Sequence, residues 1–137
     1  MQTHLSDQDY RLLAEFRYLL RQFLALRKAS ARKAGLTPQQ HQALLAIRAA
    51  DGGVLSTSQL AERLAIKVHS AVELTGRLSD TGLLKRQTDA ADRRRVLLSL
   101  TPKGGKLLEK LTLAHRDELA AMAPLLSALA KRFRKKG

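Results

Sequence analysis

Residues 55–86 read LSTSQLAERLAIKVHSAVELTGRLSDTGLLKR. Ser56-Thr57-Ser58-Gln59 has the form of a capping box, a hydroxyl followed three residues later by a glutamine. Leu60, Ala61 and Leu64 then fall on one side of a short helix. Ala65 to Lys67 is too short for anything but a tight turn. A second helix follows, with Ala71, Leu74 and Leu78 on its inner face, and Gly82 ends it. Two short helices joined by so short a turn match the helix-turn-helix pattern.

Downstream lies Thr88 to Gly104, TDAADRRRVLLSLTPKG. Leu83-Leu84 and Val96 to Leu100 are apolar, strand-like runs on either side of a polar turn. That turn holds one acid, Asp92, and then Arg93, Arg94 and Arg95. A hairpin tip loaded with guanidinium groups builds no core, but it suits phosphates or a narrow DNA groove. If the second strand begins at the arginines, Arg94 faces opposite to its two neighbours.

Upstream, Thr37-Pro38-Gln39-Gln40 opens a helix with a threonine cap, proline at the first position and glutamine at the capping-box position. Leu44, Leu45 and Ile47 form its inner face. Asp51-Gly52-Gly53 stops it, and Val54-Leu55 predicts a short strand. The first helix starts at Ser6-Asp7-Gln8-Asp9 and ends at Gly35. Leu13, Phe16, Leu20 and Phe23 make an apolar stripe widened by Leu12, Leu19 and Leu26, while Arg17, Arg21, Lys28 and Arg32 take another face. Thr101-Pro102 repeats the threonine-proline start. Leu107, Leu108, Leu111, Ala114 and Met122 mark one long helix, and Pro124 is read as opening a short last one. The fold class is therefore mainly α with a small β-hairpin wing. It is a winged helix-turn-helix over residues 36–100, with the wing at about 88–96. Terminal helices in 1–35 and 101–137 complete a single domain.

The chain has 137 residues, 45% of them hydrophobic, and a net charge of +13. That is one domain by size, with enough apolar residues for a core. The charge predicts a polyanionic partner. Residues 1–35 carry +4, 36–82 are neutral, 83–110 carry +5 and 111–137 carry +4. The charge thus peaks around the hairpin. There is no cysteine, which excludes disulfides and thiolate zinc sites and fits a reducing, cytoplasmic setting. The first ten residues lack a signal-peptide core, and no apolar run approaches membrane-spanning length, so no membrane association is expected.

Four pieces of sequence together resemble the MarR family of transcriptional regulators. They are LTPQQHQALLAI at 36–47, LSTSQLAERLAI at 55–66, LTGRLSDTGLLKR at 74–86 and DRRRVLLSLTPKG at 92–104, in order and covering about half the chain. The last is the most specific. The resemblance implies a homodimer whose first and last helices interlock, with the two winged regions on successive major grooves. It also implies that a small molecule or stress signal alters DNA affinity. Residues 67–77 match the recognition helix, Arg94 the wing-tip arginine of the minor groove, and Asp92 the acid that orients the wing. Two departures stand out: Lys67 where relatives often have serine, and Glu73 where they often have a base.

Each candidate residue has a DNA-facing role and a plainer one. Lys67, at the start of the recognition helix, is disfavoured by the helix dipole unless a phosphate lies nearby; otherwise it is a solvated lysine. Val68, His69 and Ser70 lie in the first turn, the part that meets base edges, although His69 can instead cap the helix. Val72 can touch a thymine methyl or merely edge the core. Glu73 can accept from cytosine, or point aside and pair with Arg77, four residues on. Thr57, Ser58 and Gln59 can offer hydroxyls and backbone N–H groups to phosphate, or serve only as caps. Arg86 leads into the wing. Arg94 is assigned to the minor groove and Arg93 or Arg95 to backbone phosphate, against a solvated turn. His4, His41 and His115 form no tight metal-ligand cluster, and His41 and His115 read as polar surface groups or ligand contacts. The tail KRFRKKG reads as solvated.

These features favour a sequence-specific DNA-binding repressor acting as a homodimer on a pseudo-palindromic operator in double-stranded DNA. A small-molecule effector is implied by the resemblance alone, with its pocket where the terminal helices meet the winged region. The competing class is a sequence-independent nucleic-acid-binding or architectural protein, which basic flanks around a neutral middle also permit. An enzyme is the poorest class: no paired carboxylates, nucleophile motif or phosphate loop is visible, and no cofactor or metal is expected.

Overall fold

A computed structural model describes residues 4–134. The chain divides into two compact units, one of residues 31–111 and one built from 1–30 with 112–137.

The first unit holds the winged region. Helix α2 (Pro38–Ala49) starts on the expected capping box, with Thr37 Oγ1 accepting from Gln40 N at 3.1 Å and Gln40 Oε1 accepting from Thr37 N at 2.9 Å. A 3-10 turn at Asp51–Gly53 carries the chain into strand β1 (Leu55–Ser56). Helix α3 (Thr57–Leu64) is capped reciprocally by Ser56 and Gln59. Its C-cap is Ala65, in the left-handed region at φ 55°. That conformation lets Ile66 N reach back to Ala61 O at 3.0 Å and aims the chain into helix α4 (Val68–Asp80). Strands β2 (Leu84–Thr88) and β3 (Val96–Leu100) form the wing. The sheet order is β1-β3-β2, antiparallel throughout, with Leu84 opposite Leu100 and Thr88 opposite Val96. Leu44, Ile47, Leu60, Leu78 and Leu98 are the large apolar residues at the centre of this unit's core. The first strand is one residue later than read, at 55–56. More consequentially, β3 begins at Val96, so Arg93 to Arg95 belong to the tip loop and do not alternate as strand residues.

The corner before helix α5 (Pro102–Leu113) is knitted by the threonine-proline-lysine-glycine run. Thr101 Oγ1 donates to Gly82 O at 2.5 Å and accepts from Gly104 N at 3.1 Å. Lys103 Nζ donates to Thr81 O at 3.0 Å, and Thr101 N to Leu83 O at 3.1 Å. The motif thus locks the end of α4 to the start of α5.

The second unit contains helix α1 (Asp7–Lys33) through Ser30 and helix α6 (Arg116–Phe133). Two expectations fail here. The long helix expected through Met122 breaks at Ala114–His115, and Pro124 lies inside α6 rather than opening a last helix. The last helix therefore has 18 residues and is not short. The acids Asp117 and Glu118 in its first turn are the legible start signal. Pro124 forfeits only one backbone donor, and Ala120 and Ala123 nearby are exposed, so water can donate to the released carbonyl of Ala120.

Asp9, 1% exposed, closes the N-terminal cap. Its carboxylate accepts from Ser6 N at 2.8 Å and from Arg132 through both Nε and Nη2, the latter at 2.9 Å. The Arg132 hydrogen bond, followed by that from the Ser6 backbone, holds the Asp9 carboxyl below its ordinary value of 3.8. A depressed folded-state pKa contributes stability that is present above the unfolded value and lost as pH falls through the folded one. Asp9→Asn is therefore expected to lower the melting temperature at neutral pH and to flatten its decline in acid below about pH 4. Thermal scans across pH check this, and parallel profiles for the two proteins would refute it.

Candidate nucleic-acid interface

The winged unit brings together three of the elements singled out in the sequence. The first is the start of α4. Lys67 is its N-cap, with extended backbone and no side-chain cap bond. The first-turn N–H groups therefore have no capping side chain, and the positive end of the helix is left open to an anion. Val68 and Val72 are 51% and 47% exposed, one turn apart on the outer face. His69 and Glu73 are exposed and Ser70 is half-buried. Behind them Ala71, Leu74 and Leu78 are buried as read, and the buried Thr75 donates its hydroxyl to Ala71 O at 2.8 Å. The expected Glu73–Arg77 pair is not formed: among the described residues the ion pairs involve other groups. Both side chains are solvated, and an exposed pair one turn apart gains too little to hold two long side chains still.

The second is the tip of the wing, built by two aspartates. Asp89 Oδ1 accepts from Ala91 N at 2.9 Å, closing a local turn. Asp92 Oδ1 accepts from Arg94 N at 3.1 Å and Arg94 Nε at 3.3 Å. Backbone bonds from Arg95 N to Asp92 O and from Asp89 N to Arg95 O, each 2.9 Å, complete the loop. The three arginines therefore differ. Arg95 is drawn back toward Asp89, with Nη1–Oδ2 at 3.7 Å. Arg94 is anchored at its Nε yet leaves its side chain 92% exposed. Arg93 is exposed, with no ion-pair partner among the described residues. Asp89 was not singled out in the sequence; its spacing from Ala91, an aspartate two residues before a turn donor, is the signal that marks it.

The third is Arg86 on β2. A Cβ placed on Gly76 would lie 3.7 Å from Arg86 Nη1, so this guanidinium extends from the wing strand over the side of α4. The helix α3 start is less available. Thr57 is buried, which withdraws its hydroxyl, and the Gln59 carbonyl is committed to the cap; Ser58 alone of the three presents a free, exposed side chain.

His4 is exposed, but two other histidines are not surface groups. His41 and His115 are both buried, which overturns the solvated reading; His115 sits against Phe23 in edge-to-face contact, ring centroids 5.8 Å apart. Among the described residues no group of three or more His, Cys, Asp or Glu could hold a metal ion. No helix among them is long and apolar enough to cross a membrane.

A helix-turn-helix followed by an arginine-tipped wing defines a winged DNA-binding class. Residues 34–95 match the family model described as MarR family. The chain is 33% identical over 127 residues to the HTH-type transcriptional repressor MdtR of Bacillus subtilis (strain 168), covering 93% of this chain and 76% of that one. The solved structure of YusO from Bacillus subtilis is 28% identical, with a TM-score of 0.65 over 92% of this chain and 86% of that one. BpsR of Bordetella bronchiseptica, whose structure concerns regulation of its DNA binding by 6-hydroxynicotinic acid, is 27% identical with a TM-score of 0.60, over 82% and 83%. The chain belongs to the MarR family of winged helix-turn-helix transcriptional regulators.

Proposed function

We propose that this regulator is a homodimeric, ligand-responsive repressor that binds a pseudo-palindromic operator. The observation that carries the DNA-binding part is the wing tip: Arg94 is held at its Nε by Asp92 while its side chain stays 92% exposed. A preorganised, solvent-facing guanidinium loses little entropy on entering a narrow minor groove. Of Arg93 and Arg95, the exposed Arg93 serves backbone phosphate the more readily, because Asp89 draws Arg95 back. The uncapped start of α4 meets phosphate and base edges through Lys67, Val68, His69, Ser70 and Val72, with Arg77 and Arg86 flanking. Glu73 and Asp92 limit which bases and which wing geometry are tolerated. Ser58 adds a backbone contact.

Support for a second copy comes from apolar side chains left exposed on α1 and α6, including Tyr10, Tyr18, Leu24, Leu119, Leu126 and Phe133. A two-fold dimer requires half-sites about one helical turn apart. Repression and effector control are supported by the repressor MdtR and by the regulated DNA binding of BpsR. Selection of bound duplexes from a random pool, followed by footprinting, tests the reading. A symmetric motif supports it. Equal binding to random sequence would instead favour a sequence-independent nucleic-acid-binding protein.

Lys67 allows stability and function to be separated. Lys67→Ser supplies the missing cap and is expected to raise stability by about 1 kcal/mol. The same change is expected to weaken operator binding and reduce the salt slope by about one. Chemical denaturation and anisotropy titrations at several salt concentrations check the two effects together. Unchanged DNA affinity would remove Lys67 from the interface.

A further inference from the structure

In the α1–α6 unit, an open groove of roughly 640 Å³ runs along the second half of α1 and the first turns of α6. That size is within the range of small-molecule sites. Leu19, Phe23, Leu26 and Ala29 line it on α1, and Asp117 and Glu118 on α6. Every lining residue belongs to this unit, which differs from the sequence-based placement of an effector pocket against the winged region.

Two buried polar atoms here have no hydrogen-bond partner among the described residues: Glu118 Oε2 and His115 Nε2. Buried polar atoms are almost always satisfied, so two orphans within one helical turn need a reason. The helix dipole accounts for acids in the first turn of α6, but not for a carboxylate oxygen shut away without a donor. The second orphan belongs to the ring that packs against Phe23, one of the groove's walls.

Charge selects the occupant. In a chain of net charge +13, the groove's charged lining is acidic. An anion would be repelled by Asp117 and Glu118. A neutral apolar molecule would leave the Glu118 oxygen unsatisfied. An ammonium group carries N–H donors and a positive charge together, and an attached hydrocarbon body suits the apolar wall. We propose that this groove binds small amphipathic organic amines, the ammonium donating to Glu118 Oε2 and the apolar body lying on Leu19, Phe23 and Leu26. The inference gives a chemical class to the effector of the function proposed above and rests on that reading only for its coupling to DNA.

The test is calorimetry on the full chain without DNA, so its outcome is independent of operator binding. The probes are phenethylamine, its neutral counterpart phenethyl alcohol and its anionic counterpart hydrocinnamate. The amine is expected to bind at least about tenfold more tightly than the alcohol, the worth of one charge-assisted hydrogen bond, and hydrocinnamate more weakly than either. Glu118→Gln is expected to remove that preference while leaving the alcohol unchanged. Ala121→Trp, at another lining position, is expected to block all three. Equal binding of amine and alcohol would overturn the proposal. So would an amine preference that survives Glu118→Gln, or no binding because a second copy of the chain closes the groove. Should Glu118→Gln fail to fold by circular dichroism, the wild-type probe series and Ala121→Trp still decide.

Discussion

Gly104→Ala is expected to lower the melting temperature by about 10 °C or more, while Gly105→Ala, one residue on, leaves it unchanged or raises it. Both glycines lie in α5. A Cβ on Gly104 would lie 2.1 Å from the carbonyl oxygen of Leu83 and 3.0 Å from its carbon. Those are backbone atoms, next to a buried side chain, so neither can swing aside. Relief requires α5 to move away from the chain leaving α4. That would disturb the Thr101 and Lys103 bonds to the carbonyls of Gly82 and Thr81. Overpacking of this kind costs typically about 1–3 kcal/mol and occasionally more, a large part of a marginal stability. Gly105 meets nothing within 4 Å, and alanine there gains up to about 1 kcal/mol of helix propensity. Calorimetric melts of the pair give the answer. Similar melting temperatures for the two variants would show that the close approach at Gly104 is not a constraint.

Arg94→Ala is expected to weaken operator binding about tenfold to a hundredfold and to reduce the salt slope by about one, with the fold intact. The side chain makes no packing contact that its loss would disturb: it is 92% exposed and bonded only to the neighbouring Asp92. Arg95→Ala should cost less, because Asp89 already draws that guanidinium back into the loop. Anisotropy titrations over a range of salt distinguish the two. Unaltered affinity and slope for Arg94→Ala would exclude the wing from the DNA contact.

Helix starts were legible because capping is local. Thr37 with Gln40 and Ser56 with Gln59 form the reciprocal bonds that their spacing implies. The winged topology followed from the order of these starts, the apolar runs around Asp92 to Arg95 and the glycine stops. The aspartate-arginine contact within the wing was legible for the same reason, as its partners are two residues apart. The helix break at Ala114–His115 was not, because no glycine or proline marks it and the apolar recurrence runs straight through. Pro124 misled in the opposite direction: a strong local breaker is tolerated where a solvated helix face supplies water to the freed carbonyl. The Glu73–Arg77 pair failed because a spacing that permits an exposed ion pair does not stabilise one enough to hold it.

The amino-acid sequence by itself determined the element order, the helix-turn-helix, the arginine-bearing wing and the likeness to MarR regulators. These depend on caps, periodicity and residues close along the chain. Tertiary structure alone decided that the glycine of the proline-lysine-glycine run is a packing device against Leu83. It also decided that Asp9 pairs with Arg132 across 123 residues, that Arg86 reaches over Gly76, and that Glu118 lies with an orphaned oxygen in an apolar groove. Each of these depends on which distant segments share a space and how much solvent remains there, and neither is encoded in residue spacing.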